Sequence, residues 1–116
     1  HKLNNLVGII DKNGLCSTDF IKDCVVMEPL DEKWKAFGWE VIVVDGHSFK
    51  ELASVFGHLR KRKSDKPLML IANTTKGKGV SFMEGDPAWH HSVPRGRDLE
   101  IARHELSEAS KIKKEL

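Results

Sequence analysis

Three apolar, β-branched runs constrain what this chain can fold into: "LVGII" (Leu6 to Ile10), "WEVIVVD" (Trp39 to Asp45) and "PLMLIANT" (Pro67 to Thr74). Each is near-continuous rather than alternating, the pattern of strands covered on both faces, as in parallel sheets. Parallel strands need a crossover between them, and the sequence supplies one. In "SFKELASVFGHLRKRK", Phe49, Leu52, Ala53, Val55, Phe56 and Leu59 recur at helical spacing, and Ser48 with Glu51 has the spacing of a capping box. Residues 39 to 74 therefore read as a β-α-β unit, with a right-handed crossover expected. The predicted fold class is α/β: a partial doubly wound parallel sheet of about three strands, near 6–11, 39–45 and 67–74, with flanking helices.

The remaining segments carry less regular signals. "PLDEKWKAFGW" reads as a short helix with Asp31 and Glu32 in its first turn and Gly38 as its stop, and Trp34 and Phe37 should pack on the sheet. Residues 16–28 read as a loop with a helical turn. Residues 75–96 form a long loop containing glycine and proline, a kind usually functional or mobile. A helix over 97–114 should turn Leu99, Ile101, Ala102, Leu106 and Ala109 inward. A length of 116 residues suits a single domain.

Charge and cysteine usage exclude several classes. The 19 basic against 17 acidic residues leave only +2, which offers no electrostatic case for nucleic acid. The run Arg60-Lys61-Arg62-Lys63 has no aromatic residue interleaved and reads as the solvated end of a helix. No apolar run approaches the ~20 residues that span a membrane, and no signal peptide is seen. Cys16 and Cys24 lack the second pair a zinc site would need, so two reduced thiols in a cytoplasmic protein are expected.

Ligands of open α/β sheets bind outside the carboxyl ends of the strands, and here those ends are polar and contain glycine. The first run leads into Asp11-Lys12-Asn13-Gly14, the second into Asp45-Gly46-His47, and the third into Asn73-Thr74-Thr75-Lys76-Gly77-Lys78-Gly79. Asn13-Gly14 is a strong hairpin signal, but "LCSTDFIKD" makes a poor second strand and a loop is favoured. An Asn amide oxygen is also a hard donor suited to Mg²⁺. "TTKGKG" is similar to a phosphate-cradling loop without being a Walker sequence, and no strand runs into G-x-G-x-x-G. Asp45-Gly46-His47 is compatible with turn chemistry ahead of a helix as well as with a site. His90 and His91, beside Trp89 and Pro94, fit either surface residues or a phosphate donor and proton carrier. His58 and His104 lie on helices among charged neighbours and should be solvated.

Taken in order, "NNLVGIIDKNGL", "EPLDEKWKAFGWEVIVVDGH", "PLMLIANTTKGKGVSFME" and "WHHSVP" resemble the thiamine-diphosphate-binding domain of transketolases, nearest to the N-terminal subunit of the split, two-gene type. The resemblance covers nearly the whole chain. It implies transfer of a two-carbon ketol unit between sugar phosphates, as in the pentose phosphate pathway, with thiamine diphosphate and Mg²⁺. It also implies that Asn13 and the Leu15 carbonyl are metal ligands, with Gly14 between them. Gly46 and His47 match the D-G-H segment, and Lys76 to Gly79, Lys76 and Gly77 foremost, match a loop that helps close the site. Spacing to Pro94 makes His91 the expected diphosphate-contacting and catalytic histidine, with His90 as the alternative. Ser92 stands where the family usually has glycine in H-G-x-P, and the loop after Asn13 departs from the family's Asp-Gly turn.

The opening Gly-Asp-Gly of the cofactor motif and the pyrimidine-binding domain, source of the activating glutamate, are not on this chain. The expectation is therefore the C-terminal half of a cofactor domain that works with an upstream half-domain and a pyrimidine-binding subunit. Alone it should bind cofactor weakly and turn nothing over, and it should form homo-oligomers. The alternative is a non-catalytic, self-associating subdomain of the same fold, whose truncated sheet leaves a strand edge open.

Overall fold

A computed structural model describes residues 2–59 and 61–112. Along the chain the elements are β1 (Val7–Lys12), β2 (Leu15–Cys16), β3 (Asp19–Phe20), α1 (Ile21–Cys24), α2 (Leu30–Ala36), β4 (Glu40–Asp45), α3 (Phe49–Leu59), β5 (Leu68–Asn73), a 3₁₀ turn (Pro87–His90) and α4 (Arg97–Ile112). They fall into two compact units, His1–Asn13 with Val25–Thr74 and Gly14–Cys24 with Thr75–Leu116.

The first unit is built on a parallel sheet in the order β1-β5-β4. Leu68 stands opposite both Val7 and Glu40, and Asn73 opposite both Lys12 and Asp45, so the three carboxyl ends align. The predicted strand limits are off by about one residue. Alternation along β5 divides its side chains between two cores. Leu68, Leu70 and Ala72 join Val44 and Val55, with Ile42, Leu52 and Leu59 packed against them, on the α3 side. Met69 and Ile71 join Leu30, with Ile10, Trp34, Trp39 and Val41, on the α2 side. Trp34 and Trp39 meet edge to face with ring centroids 5.0 Å apart.

Only β5 meets the expectation of a strand covered on both faces. β1 alternates between exposed and half-buried, and Ile9 is 60% exposed. The reason is position: among the described residues β1 pairs on one side only, with β5, and its Val7 and Ile9 share the face that α3 covers over β4 and β5. Aromatic placement differs too. Phe37 is 81% exposed because α2 has ended there; it is the C-cap, so its spacing from Trp34 no longer follows the helix face. Phe49 opens α3 and is 75% exposed, and Phe56 is also exposed, since the buried stripe of that helix is Leu52, Val55 and Leu59.

Half of the predicted capping box forms. The Ser48 hydroxyl accepts from the Glu51 N–H at 3.3 Å, but the Glu51 carboxylate reaches past Ser48 to the N–H of Asp45, at 2.9 Å. The basic run is not uniformly solvated. The side chain of Arg62, after the end of α3, is only 6% exposed; its Nε lies 3.7 Å from the Glu40 carboxylate and its Nη2 donates to the carbonyls of Asn4 and Lys66. Arg60 lies outside the described residues, while Lys61 and Lys63 are exposed.

The second unit begins with a hairpin that the sequence did not suggest. β2 and β3 pair antiparallel, Leu15 with Phe20 and Cys16 with Asp19, so the turn is Ser17-Thr18 rather than Asn13-Gly14. α1 is the helical turn expected within 16–28. On α4, Ala102 is buried and Leu99 and Ile101 are half-buried, whereas Leu106 and Ala109 are exposed because the covered stripe ends at Glu105. The predicted residues 113 and 114 of this helix lie outside the described residues. His58 and His104 are exposed, as expected. Among the described residues no helix is long and apolar enough to cross a membrane.

Leu70, 1% exposed at the centre of β5, should lose about 2–5 kcal/mol of stability on replacement by alanine. Phe49→Ala should change it by no more than about 0.5 kcal/mol. Urea unfolding midpoints of the two variants check both figures.

Candidate functional site

The carboxyl end of the parallel sheet in the first unit is tied together by short polar contacts. The Thr74 hydroxyl donates to the Asp11 carboxylate across the exit of β1 and β5. The Thr74 N–H reaches the Lys12 carbonyl at 3.3 Å and the Gly46 N–H reaches the Asn73 carbonyl at 2.7 Å. Asp45 folds its carboxylate back onto the His47 N–H, at 2.8 Å, giving the turn that begins at Gly46. Glycine is required there: a Cβ on Gly46 would lie 2.5 Å from the Thr74 methyl and 3.1 Å from the Asn73 carbonyl. Asn13 closes this unit, half-buried, just beyond β1, and His47 is exposed beyond β4. Lys12 pairs with Glu28 at 2.5 Å, and that contact, followed by the Leu30 N–H, holds the Glu28 carboxyl below its ordinary range. Asn13, Gly46 and His47 are thus brought to the same end of one sheet.

The second unit holds Gly14, Leu15, Lys76, Gly77, His90 and His91. Its residues 75–86 form a succession of turns rather than an open loop. Lys78, Val80, Met83 and Gly85 donate backbone hydrogen bonds to Thr75, Gly77, Val80 and Lys76 at 2.9–3.2 Å. Gly77 has φ +78°, and a Cβ there would lie 2.5 Å from the Met83 carbonyl oxygen, so the close approach excludes any other residue. The phosphate-cradle reading of "TTKGKG" does not fit this geometry, because the backbone donors after Gly77 are already used. The N–H of Gly79 binds Glu84 at 3.0 Å, and Lys78 pairs with Glu84 at 3.3 Å. Ser81 gives both its N–H and its hydroxyl to Glu105, at 2.7 and 2.6 Å, which holds that carboxyl low.

What the turns leave at one place is Lys76 and a histidine. Lys76 Nζ lies 2.6 Å from His90 Nδ1. An ammonium has only donors, so Nδ1 is the acceptor and the ring proton sits on Nε2, which is left able to donate. The neighbouring Lys76 charge, then desolvation, then His91, depress the His90 pKa below the ordinary 6.5. The His91 ring packs edge to face on the His90 ring, centroids 4.3 Å apart, and is exposed. The 3₁₀ turn carrying His90 is capped by Asp86 through the Ala88 N–H at 2.9 Å, closed by the Ser92 hydroxyl on the Ala88 carbonyl at 2.8 Å, and anchored by Trp89 against Phe82.

Residues 1–112 match the family described as the transketolase, thiamine diphosphate binding domain. The chain belongs to the transketolase family. It is 44% identical over 108 residues to one of the subunits of the apulose-4-phosphate transketolase of Actinobacillus succinogenes, covering 93% of this chain and 38% of that one. It is 35% identical over 115 residues to human transketolase, covering 98% of this chain and 18% of that protein. The crystal structure of transketolase from Campylobacter jejuni superposes with a TM-score of 0.78 at 28% identity, over 97% of this chain and 19% of that one. The transketolase-family segment described here thus spans well under half the length of these relatives.

The donor chemistry fits the groups that this family implies. Asn13 carries an amide oxygen, a hard donor of the type Mg²⁺ takes. Among the described residues no three His, Cys, Asp or Glu side chains form a metal-holding group. For a diphosphate, Lys76 offers a cation and His90 an N–H. The contacts of Lys12 with Glu28, Thr74 with Asp11 and Ser81 with Glu105 were not read from the sequence. Asp11 and Thr74 could have been found from strand register, whereas Ser81 and Glu105 lie 24 residues apart with no local signal.

His90 should titrate below 6.5 as the Nε2–H tautomer, followed by long-range ¹H–¹⁵N NMR, and Lys76→Met should move it up towards 6.5. Since folding lowers this pKa, the contribution of His90 to stability is full above the unfolded value and fades as pH falls through the folded one. Gly77→Ala, forced to φ > 0 against the Met83 carbonyl, should cost more than about 1 kcal/mol in urea unfolding.

Proposed function

We propose that this chain forms part of the cofactor site of a transketolase, acting with the remainder of the cofactor domain and with a pyrimidine-binding portion or subunit. The reaction is transfer of a two-carbon ketol unit between sugar phosphates. The observation that carries the reading is the Lys76–His90 contact at 2.6 Å on a turn that only glycine at 77 permits. Thiamine diphosphate, when bound, supplies the nucleophilic carbon and the electron sink. The chain's own residues place and neutralise the diphosphate. Lys76 opposes its charge while the Nε2–H of His90 donates to an anionic oxygen. This favours His90 over His91 for the diphosphate contact. Asn13 and the Leu15 carbonyl would be the oxygen donors to Mg²⁺.

A second reading, a self-associating subdomain without catalysis, draws on one specific feature: among the described residues β1 pairs on one side only and exposes Ile9. A dimer in sedimentation equilibrium that is lost in Ile9→Lys, without any heat of cofactor binding, favours it over the first.

Titration calorimetry of the chain with thiamine diphosphate and Mg²⁺ tests the first reading. Binding weakened at least about tenfold by Asn13→Ala and by His90→Ala, the loss expected for a charge-assisted hydrogen bond, supports it; equal affinity in both variants overturns it. With xylulose 5-phosphate and ribose 5-phosphate the chain alone should show no turnover, and turnover would refute its dependence on the remaining parts.

A further inference from the structure

Two carboxylates one turn apart on α4 behave differently. Glu108 pairs within its own helix, with Lys111 at 2.7 Å. The Glu105 carboxylate, half-buried, leaves the helix and takes both donors of Ser81, the N–H at 2.7 Å and the hydroxyl at 2.6 Å. Those bonds hold it below the ordinary carboxylate range, so it is ionised at neutral pH and the bonds are charge-assisted. Ser81 stands where two branches leading to Lys76 and His90 begin. On one side Val80, buried, donates its N–H to the Gly77 carbonyl at 3.1 Å and accepts from the N–H groups of Met83 and Glu84 at 2.9 and 3.1 Å. The Gly85 N–H then closes this segment on the Lys76 carbonyl at 2.9 Å. On the other side Phe82 packs on Trp89, ring centroids 5.0 Å apart, and His90 follows Trp89 in the chain. The 2.6 Å contact between Lys76 and His90 joins the ends of the two branches.

We propose that Glu105 is a positioning residue: by holding Ser81 from α4, it keeps Lys76 and His90 in contact and so presents a cation and an imidazole N–H together to an anionic oxygen. Displacing Ser81 moves the root of both branches at once, and the pair separates. Glu105 touches neither Lys76 nor His90 in this scheme; it acts through the turn. The use of the pair for a diphosphate rests on the function proposed above, whereas the hold of Glu105 on the pair does not. Direction distinguishes this role from a simple charge effect. Removing an anion from the surroundings of a histidine lowers its pKa, but releasing His90 from the Lys76 charge raises it.

The test is a pH titration of His90 by long-range ¹H–¹⁵N NMR on the intact chain without cofactor, with urea unfolding as the check on folding. In Glu105→Ala the His90 pKa should rise towards 6.5, as in Lys76→Met, and the Nδ1–H tautomer should appear. Glu105→Ala combined with Lys76→Met should add nothing to Lys76→Met alone. Glu105→Gln keeps an acceptor for the Ser81 N–H and a donor to the Ser81 hydroxyl, and should leave His90 below 6.5. Ser81→Ala, which loses the hydroxyl bond alone, should raise the pKa part of the way and decides the matter if Glu105→Ala does not fold. A His90 pKa unchanged or lowered in the alanine variants, an equal rise in Glu105→Gln and Glu105→Ala, or additive shifts in the double variant would overturn the proposal. No cofactor is present, so this result and that of the cofactor titration fail separately.

Discussion

Burial of β5 between two in-register parallel neighbours is the constraint on which the first unit rests. Every residue of Leu68–Ala72 is buried, and a strand so placed can leave no backbone group unpaired without large cost. Pairing with β1 on one side and β4 on the other satisfies that demand. The parity of the strand then assigns the helices: Leu68, Leu70 and Ala72 need α3, and Met69 and Ile71 need α2 together with the Trp34–Trp39 pair. The same registers bring Lys12, Asn73 and Asp45 level. A collection of polar exits at one end of the sheet is therefore a by-product of the core, not a separate construction.

Chemistry at those exits differs between the units. In the first, short side chains and backbone groups largely satisfy one another, as in Asp45 with His47 and Thr74 with Asp11, which makes a preorganised rim. In the second, the turns consume most of their own donors and concentrate what remains in Lys76 and His90. A cation touching a neutral imidazole is an arrangement that an anionic ligand would relieve, because each nitrogen gains a partner of opposite sign or an acceptor. The match to the transketolase cofactor-domain family gives that arrangement its context.

Legibility in the sequence follows the range of the interactions. The strands, α2 and α3 were readable because continuous apolar runs and helical spacing are local, and the exits followed from the parallel sheet. Exposure was not readable. Ile9 looks like a core residue until β1 proves to be an outer strand, and Phe37 and Phe49 fall at helix ends where spacing no longer defines a face. The β2–β3 hairpin was missed because two-residue strands carry no periodicity, and "LCSTDF" is too polar to announce them. Of the two histidines, spacing to Pro94 pointed to His91, while the contact with Lys76 belongs to His90. That contact spans 14 residues and depends on the intervening turns.

Glu51 has a consequence beyond helix capping. By reaching over Ser48 to the Asp45 N–H, its carboxylate fastens the first turn of α3 to the last residue of β4, and Asp45 in turn fixes the backbone of His47. The first turn of α3 and the backbone of His47 are thus joined through Asp45 by two hydrogen bonds outside the hydrophobic core.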